Sequence, residues 1–150
     1  MTPAVQLEHY FFKRLLVDTR LPDGGEPPDF EYPLEVSTAI ELYPLLGDED
    51  RFQLRLIIER DAAKLPPGAY QIEVEVYGIF LVSADQPRED KEKAIRLTGA
   101  PILYDAAREH LLTVTGRGPW PALMLPIASF VPERSEHCKR RLNMITGPAR

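Results

Sequence analysis

The sequence predicts an α+β fold in which a four-stranded antiparallel sheet precedes a long helix that packs on it. Three features predict this fold: apolar residues alternate along four segments before residue 83, short turns connect the last three segments, and helical periodicity begins at residue 88. The 150 residues suit one domain. We therefore expect residues 1–150 to form a single domain in which 131–150 are a divergent basic C-terminal tail.

The first predicted strand begins at Val5 and has a long crossover after it. One side of this strand carries Val5, Leu7, Phe11, Leu15 and Val17, and the other carries Tyr10, Phe12 and Leu16. Because a regular strand alternates its side chains between two faces, two apolar sides predict a bent or bulged strand. The Pro- and Gly-rich residues 21–33 that follow predict a crossover loop, which contains Phe30 and Tyr32.

Three further strands alternate cleanly between apolar and polar residues. They span residues 34–42, 52–59 and 70–82. Turn sequences at 47–50 and 65–69 join them, and links this short make antiparallel neighbours.

Helical periodicity follows the fourth strand. Residues 88–97 predict a short helix that ends at Gly99, and Pro101 suits the first turn of a longer helix that ends at Gly116 or Gly118. The apolar stripe of the longer helix is predicted to contain Leu103, Ala107, His110, Leu111 and Val114.

Prolines dominate the segment after this helix. Residues 119–132 contain four prolines in fourteen residues, and this segment is predicted to be extended. A last helix is predicted from Pro132 toward Ile145.

Composition and charge exclude several classes of function. Hydrophobic residues form 44% of the chain, which predicts a folded protein, and no apolar run approaches the ~18 residues of a membrane span. The net charge of −5 argues against nucleic-acid binding. Residues 1–90 carry 8 Lys and Arg against 18 Asp and Glu, whereas residues 91–150 carry 10 against 5. The N-terminus lacks a secretion signal and the single Cys138 fits a reducing compartment, so we expect a cytoplasmic protein.

The sequence contains no recognisable catalytic or metal-binding pattern. The three histidines, His9, His110 and His137, lack metal-ligand spacing, and His110 is expected to be a packing residue. Cys138 is adjacent to His137, and a nucleophile and its base are rarely neighbours in sequence. The glycine-rich 116–120 follows a helix and lacks the lysine of a phosphate loop. We therefore expect no enzyme activity, metal or cofactor.

Acidic residues dominate the polar sides of the predicted strands. They are Glu35, Glu41, Glu59, Glu73 and Glu75, against one clear base, Arg55. This pattern predicts an electronegative docking surface. The apolar residues on the same side predict either cover by a partner subunit or a patch that binds other polypeptides. They are Tyr10, Phe12, Leu16, Tyr77, Ile79 and Leu81.

Three motifs, in this order, resemble the SecB family of ATP-independent protein-export chaperones. The motifs are YGIFLVSA (77–84), PILYDAAREHLLTVTGRG (101–118) and WPALMLPIASF (120–130). The element order also resembles the family over roughly residues 5–130. The resemblance implies a homotetramer, built as a dimer of dimers, whose grooves hold unfolded polypeptides, which we call clients.

The resemblance also implies site residues. Those implied for client binding are Phe30, Tyr32, Tyr77, Ile79, Leu81, Leu103, Leu111 and Trp120. Those implied for contact with the SecA motor are Asp18, Glu73 and Glu75. The chain departs from the family at Gln71, where the family has an apolar contact, and in its tail, where the family has an apolar and acidic helix.

Three interpretations of function stay open at this point. The first is a holdase that keeps unfolded preproteins competent for export and delivers them to SecA. The second is a SecB-like chaperone dedicated to an antitoxin in a toxin–antitoxin–chaperone system, which the departures from the family favour. The third, of another class, is a small-molecule-binding or enzymatic α+β domain with a pocket under the long helix.

Overall fold

Four strands precede two helices in the part of the chain that the structure describes. The computed structural model describes residues 5–19, 36–60, 70–83, 85, 87–119, 121–128 and 130. The strands are β1 (Val5–Thr19), β2 (Ser37–Pro44), β3 (Arg51–Glu59) and β4 (Tyr70–Val82). The helices are α1 (Arg88–Ala94) and α2 (Ala100–Thr115), and a π-helical turn, Ile95–Gly99, joins them. The predicted order of four strands and then helices is confirmed.

All four strands form one antiparallel sheet in the order β1-β4-β3-β2. The turn between β2 and β3 contains Gly47, whose φ of 79° is a left-handed conformation that glycine adopts without steric cost. β2, β3 and β4 are antiparallel neighbours, as predicted. Because β1 pairs with β4, β1 and β2 are the two edge strands, and the connection between them is a crossover.

Strands β3 and β4 alternate without interruption between buried and more exposed residues. The buried residues lie on the side on which α2 packs, which we call the core face. They are Phe52, Leu54, Leu56 and Ile58 of β3, with Tyr70, Ile72, Val74, Val76, Gly78, Phe80 and Val82 of β4. Aliphatic side chains of α2 join them in one hydrophobic core. The opposite side is the outer face, on which no described helix packs.

Strand β1 contains two β-bulges. Its register with β4 shifts once between Leu7 and His9 and again between Phe12 and Arg14. Each bulge adds one unpaired residue, after which the side chains that follow change faces. The predicted irregularity of this strand is therefore confirmed.

The bulges change the predicted faces of β1. Tyr10 and Phe12 pair with core-face residues of β4 and so lie on the core face, whereas Phe11 pairs with Tyr77 on the outer face. The prediction that Tyr10 and Phe12 share the polar side of the sheet is wrong, because strict alternation holds only between bulges. Leu16 does lie on the outer face, where it pairs with Glu73.

The helical segment continues through Gly99, contrary to prediction. This residue has φ −76° and ψ −43°, which are helical values. The π-helical turn instead accommodates Pro101, whose ring and missing N–H do not fit a regular helix interior. Gly99 serves close packing, since a Cβ atom there would lie 3.0 Å from Cζ of Phe80.

Helix α2 buries a stripe that differs in part from the predicted one. The buried residues are Ala100, Leu103, Tyr104, Ala107, Leu111 and Thr115. His110 and Val114 are exposed, because they lie beside this stripe rather than on it. The His110 ring stacks on Phe12 with 4.9 Å between ring centroids. Among the described residues, no helix combines the length and hydropathy that a membrane crossing requires.

Three predictions lie outside the described residues. They concern the turn at 65–69, the last helix from Pro132, and the basic tail at 131–150.

Candidate functional site

An apolar and aromatic surface lies on the outer face along β4 and β1. We call Phe11, Tyr77, Ile79 and Leu81 the outer strip. The three β4 residues are half-buried, and Phe11 is 44% exposed. The Phe11 and Tyr77 rings stack with 5.4 Å between centroids and 7° between planes. Three of the predicted client-binding residues therefore share one surface, and Phe11, absent from that prediction, extends it.

A network of charged and phenolic groups crosses the outer face beside this strip. Arg55 donates to Glu41 at 2.7 Å through Nη1 and to Glu75 through Nε. The hydroxyl of Tyr43 donates to Glu41 at 2.6 Å, and that of Tyr77 donates to Glu75 at 3.1 Å. The hydrogen bond to Glu41, together with burial, raises the pKa of Tyr43 to about 12. Burial alone would raise the pKa of Glu75, but the hydrogen bonds from Arg55 and Tyr77, together with the positive charges of Arg55 and Lys13, outweigh it and the pKa is lowered.

All three acids predicted to contact SecA lie on the outer face. Asp18 is exposed, Glu73 pairs with Arg14 at 2.7 Å, and Glu75 also lies 3.9 Å from Nζ of Lys13. The prediction that Arg55 is the one clear base among these acids is therefore wrong. Strand β1 adds bases to this face, and Lys13 is the extra residue of the second bulge.

Leu103 and Leu111 belong to the core and not to a client-binding surface. Both side chains are 0% exposed between α2 and the core face. Leu103 lies so close to the sheet that a Cβ atom added to Gly78 would approach it to 2.9 Å. The prediction that these two leucines contact clients is wrong, because helical periodicity marks an apolar face without distinguishing a groove from a core.

Beyond α2, the chain turns and runs back along the helix as residues 121–128, which we call the return segment. It belongs to no helix or strand. Leu123 and Leu125 are 8% and 1% exposed, whereas Met124 between them is 56% exposed. Such alternation is typical of an extended chain with one buried side. The predicted extended conformation is confirmed for these residues.

Two hydrogen bonds from α2 side chains hold the backbone of the return segment. The Leu123 N–H donates to Oγ1 of Thr115 at 2.7 Å, and the Tyr104 hydroxyl donates to the carbonyl oxygen of Pro126. The Tyr104 ring also packs edge-to-face on Phe130, with 5.7 Å between centroids.

The turn that begins the return is closely packed. The Gly118 N–H donates to the carbonyl oxygen of Thr115 at 3.0 Å, and the Tyr70 hydroxyl donates to the same oxygen at 3.3 Å. A Cβ atom at position 118 would lie 1.9 Å from that hydroxyl oxygen, so only glycine fits.

The remaining predicted client-binding residues, Phe30, Tyr32 and Trp120, lie outside the described residues. Within the described part of the chain, no group of three or more His, Cys, Asp or Glu side chains is placed to hold a metal ion. The described surface instead offers apolar burial, aromatic faces and the open backbone edges of β1 and β2, which are groups that can bind polypeptide.

Sequence reasoning missed two parts of this arrangement. Strict alternation places Phe11 on the same side of β1 as Val5, and so on the core face. The two apolar sides of β1 indicate a bulge but do not show at which residue it occurs. The return segment was recognised as extended, but its alternating Leu-Met-Leu, bounded by Pro121 and Pro126, also indicated one buried side.

Comparison with known proteins shows similarity at the level of structure. No protein-family model matches the chain, and no curated protein matches its sequence. The Mycobacterium tuberculosis SecB-like chaperone Rv1957, in complex with a ChAD peptide from the HigA1 antitoxin Rv1956, aligns with a TM-score of 0.60 and 18% identity. The alignment covers 84% of this chain and 88% of that one.

A protein of unknown function from Streptococcus agalactiae aligns with a TM-score of 0.51 and 13% identity, over 82% of this chain and 97% of that one. Identities this low demonstrate similarity of fold. With its four-stranded antiparallel sheet followed by a long helix, this chain has a SecB-like fold.

Proposed function

We propose that this protein is an ATP-independent chaperone, a holdase that binds unfolded polypeptides and requires neither a catalytic residue nor a cofactor. The observation that carries the proposal is the outer strip, where Phe11, Tyr77, Ile79 and Leu81 lie exposed or half-buried on a SecB-like sheet. Extended polypeptide contributes about 25 cal/mol for each Å² of apolar surface it buries there. Backbone hydrogen bonds add affinity that does not depend on client sequence.

The holdase is proposed to act as a homotetramer, a dimer of dimers, in the cytoplasm. Strand β1 supports this assembly, since it is a 15-residue edge strand and Tyr10 is 45% exposed. Open edges of this length are normally covered in native proteins. Four copies present repeated weak subsites to one client, which multiplies their affinity through high effective concentration.

Two classes of client are proposed. The leading one is unfolded preprotein, which the chaperone keeps competent for export and delivers to SecA. The second is the unfolded part of an antitoxin, in a toxin–antitoxin–chaperone system. Two observations favour the second: a structurally similar SecB-like chaperone is bound to an antitoxin peptide, and Glu73 and Glu75 are already paired with bases.

The proposal is tested by the aggregation of a chemically denatured model protein after dilution without ATP. We expect a several-fold molar excess of this protein to slow aggregation, while an equal mass of an unrelated protein has no effect. Unchanged aggregation kinetics would contradict the proposal. The solution mass of the same sample tests the tetramer.

Binding assays distinguish the two partners. Immobilised protein is presented with SecA and, separately, with an antitoxin encoded beside the chaperone gene. We expect Glu73→Lys to weaken SecA binding while holdase activity is retained, and Glu109→Lys, at an exposed position of α2, to serve as the matched control. Equal SecA binding by wild type and Glu73→Lys would contradict a role for the acids.

Substitution of Phe30 and Tyr32 tests the groove that the SecB resemblance implies. We expect the doubly substituted Phe30→Ser and Tyr32→Ser variant to bind clients more weakly while its solution mass stays unchanged. Loss of assembly would instead assign these rings a structural role.

The third interpretation, a domain with a ligand pocket under the long helix, is not favoured. Where Gly78, Phe80 and Leu103 meet, side chains fill the space between α2 and the sheet, and Phe80 and Leu103 are 0% exposed.

A further inference from the structure

We propose that the return segment, residues 121–128, is a built-in occupant of a client-binding groove alongside α2. An extended client with aliphatic side chains two positions apart displaces it and takes the places of Leu123 and Leu125. This inference rests on the proposed holdase function and specifies both the client pattern and the part of the chain that competes with it.

The return segment already has the form of a bound client. It is neither helix nor strand, and its burial alternates from Leu123 through exposed Met124 to Leu125. A chain bound in this way requires side chains at positions i and i+2, because only alternate residues point toward the protein. The groove therefore selects clients by a spacing and not by a particular sequence.

Two side chains of α2 make hydrogen bonds to the described return segment, and both bonds involve backbone atoms of that segment. Thr115 accepts from the N–H of Leu123, and Tyr104 donates to the carbonyl oxygen of Pro126. Any extended polypeptide has the same two groups at the same spacing. Thr115 Oγ1 is itself fixed by donating to the carbonyl oxygen of Leu111 at 2.6 Å, so its acceptor position exists whichever chain occupies the groove.

Displacement makes the return segment a regulator of affinity. A client binds only the fraction of molecules whose groove is open, so its apparent dissociation constant is the intrinsic constant divided by that fraction. Weakening the return segment without altering the groove then tightens client binding. Leu125, 1% exposed, contributes more to closure than Met124, which is 56% exposed.

The test uses full-length protein and a labelled peptide with the sequence of residues 119–128, PWPALMLPIA. We expect Leu125→Ala to bind this peptide at least tenfold more tightly than wild type, and Met124→Ala, the matched control, to bind it as wild type does. A peptide with serine in place of both leucines should bind at least tenfold more weakly, whereas serine in place of the methionine should have no such effect.

Hydrogen exchange of the wild-type protein provides a second readout. Addition of the peptide should speed exchange of the Leu123 amide, because its hydrogen bond to Thr115 is lost when the return segment leaves the groove. If Leu125→Ala proves unfolded by circular dichroism, Leu123→Ala replaces it. The inference is overturned if a folded leucine variant binds no more tightly than wild type, or if the Leu123 amide stays protected at saturating peptide. Aggregation suppression by wild type tests the holdase function separately, so the two failures are distinguishable.

Discussion

Leu103 of α2 lies directly on Gly78 of β4, so close that a Cβ atom at position 78 would be 2.9 Å from its Cδ2 atom. The same Cβ atom would be 2.8 Å from Cε2 of Phe80. The glycine in the middle of β4 therefore sets how closely the helix approaches the sheet.

We expect Gly78→Ala to lower the free energy of unfolding by about 1–3 kcal/mol, because the added methyl group overpacks the core. Urea denaturation measures the change. Leu103→Ala alone should cost about 2–5 kcal/mol by leaving a cavity. The double variant should lose less free energy of unfolding than the sum of the two single losses, since the methyl group added at position 78 fills part of the cavity left by Leu103. Strict additivity would contradict the contact.

A second prediction concerns the ion pair between α1 and the turn before β3. Nζ of Lys91 donates to Asp50 at 2.8 Å, and the lysine side chain is only 8% exposed. We expect Asp50→Asn to lower the free energy of unfolding by about 1–3 kcal/mol, because a buried ammonium group loses its charged partner. Adding Lys91→Met should recover much of that loss, since no unpaired charge remains. If the double variant recovers no stability, the loss in Asp50→Asn does not come from the unpaired Lys91 ammonium group.

Acid should weaken the network on the outer face. Although burial alone would raise the pKa of Glu75, the hydrogen bonds from Arg55 and Tyr77 and the charges of Arg55 and Lys13 together hold it below its ordinary value of 4.5. The unfolded chain therefore takes up this proton first as pH falls, and the stabilisation, complete above pH 4.5, is lost as the pH falls through the lowered pKa. Urea midpoints at pH 6 and pH 3 should differ less for Glu75→Gln than for wild type. Glu59→Gln, at an exposed position, should behave as wild type. Equal pH dependence of wild type and Glu75→Gln would contradict this assignment.

The two tyrosines of the network provide a matched test of client binding. Both donate to a network carboxylate, but only Tyr77 stacks on Phe11 and adjoins the rest of the outer strip. We expect Tyr77→Ser to raise severalfold the chaperone concentration needed to suppress aggregation by half. Tyr43→Ser should leave that concentration unchanged. Equal effects of the two substitutions would argue that the network, and not the strip, supports client binding.

Much of the fold follows from local patterns. Strand β4 was predicted at its observed limits, because its alternation is unbroken and a buried core face tolerates no slip in register. The continuation of the helix through Gly99 was missed, because the reason for that glycine is a distant contact with Phe80.

The residues of the candidate site were harder to predict from the sequence than the fold was. Leu103 and Ile79 are both apolar residues in periodic segments, yet one is fully buried under α2 and the other is half-buried on the outer face. Which apolar face is covered depends on how the layers stack, and alternation within one strand does not contain that information. Likewise, the pairing of Arg14 with Glu73 depends on strand order, which brings β1 beside β4.

The two bulges divide β1 into three successive regular stretches, or frames, within each of which side chains alternate between faces. Each frame directs its own pair of apolar residues toward the core face: Val5 and Leu7, Tyr10 and Phe12, and Leu15 and Val17. Removal of Lys13 alone would merge the second frame with the third and leave Leu15 and Val17 inward, because Lys13 is the unpaired residue of the bulge. One residue inserted after Arg14 would instead turn Leu15 and Val17 outward and Leu16 inward. Substitutions along this strand are thus far better tolerated than the insertion of one residue between the bulges and the apolar pairs that follow them.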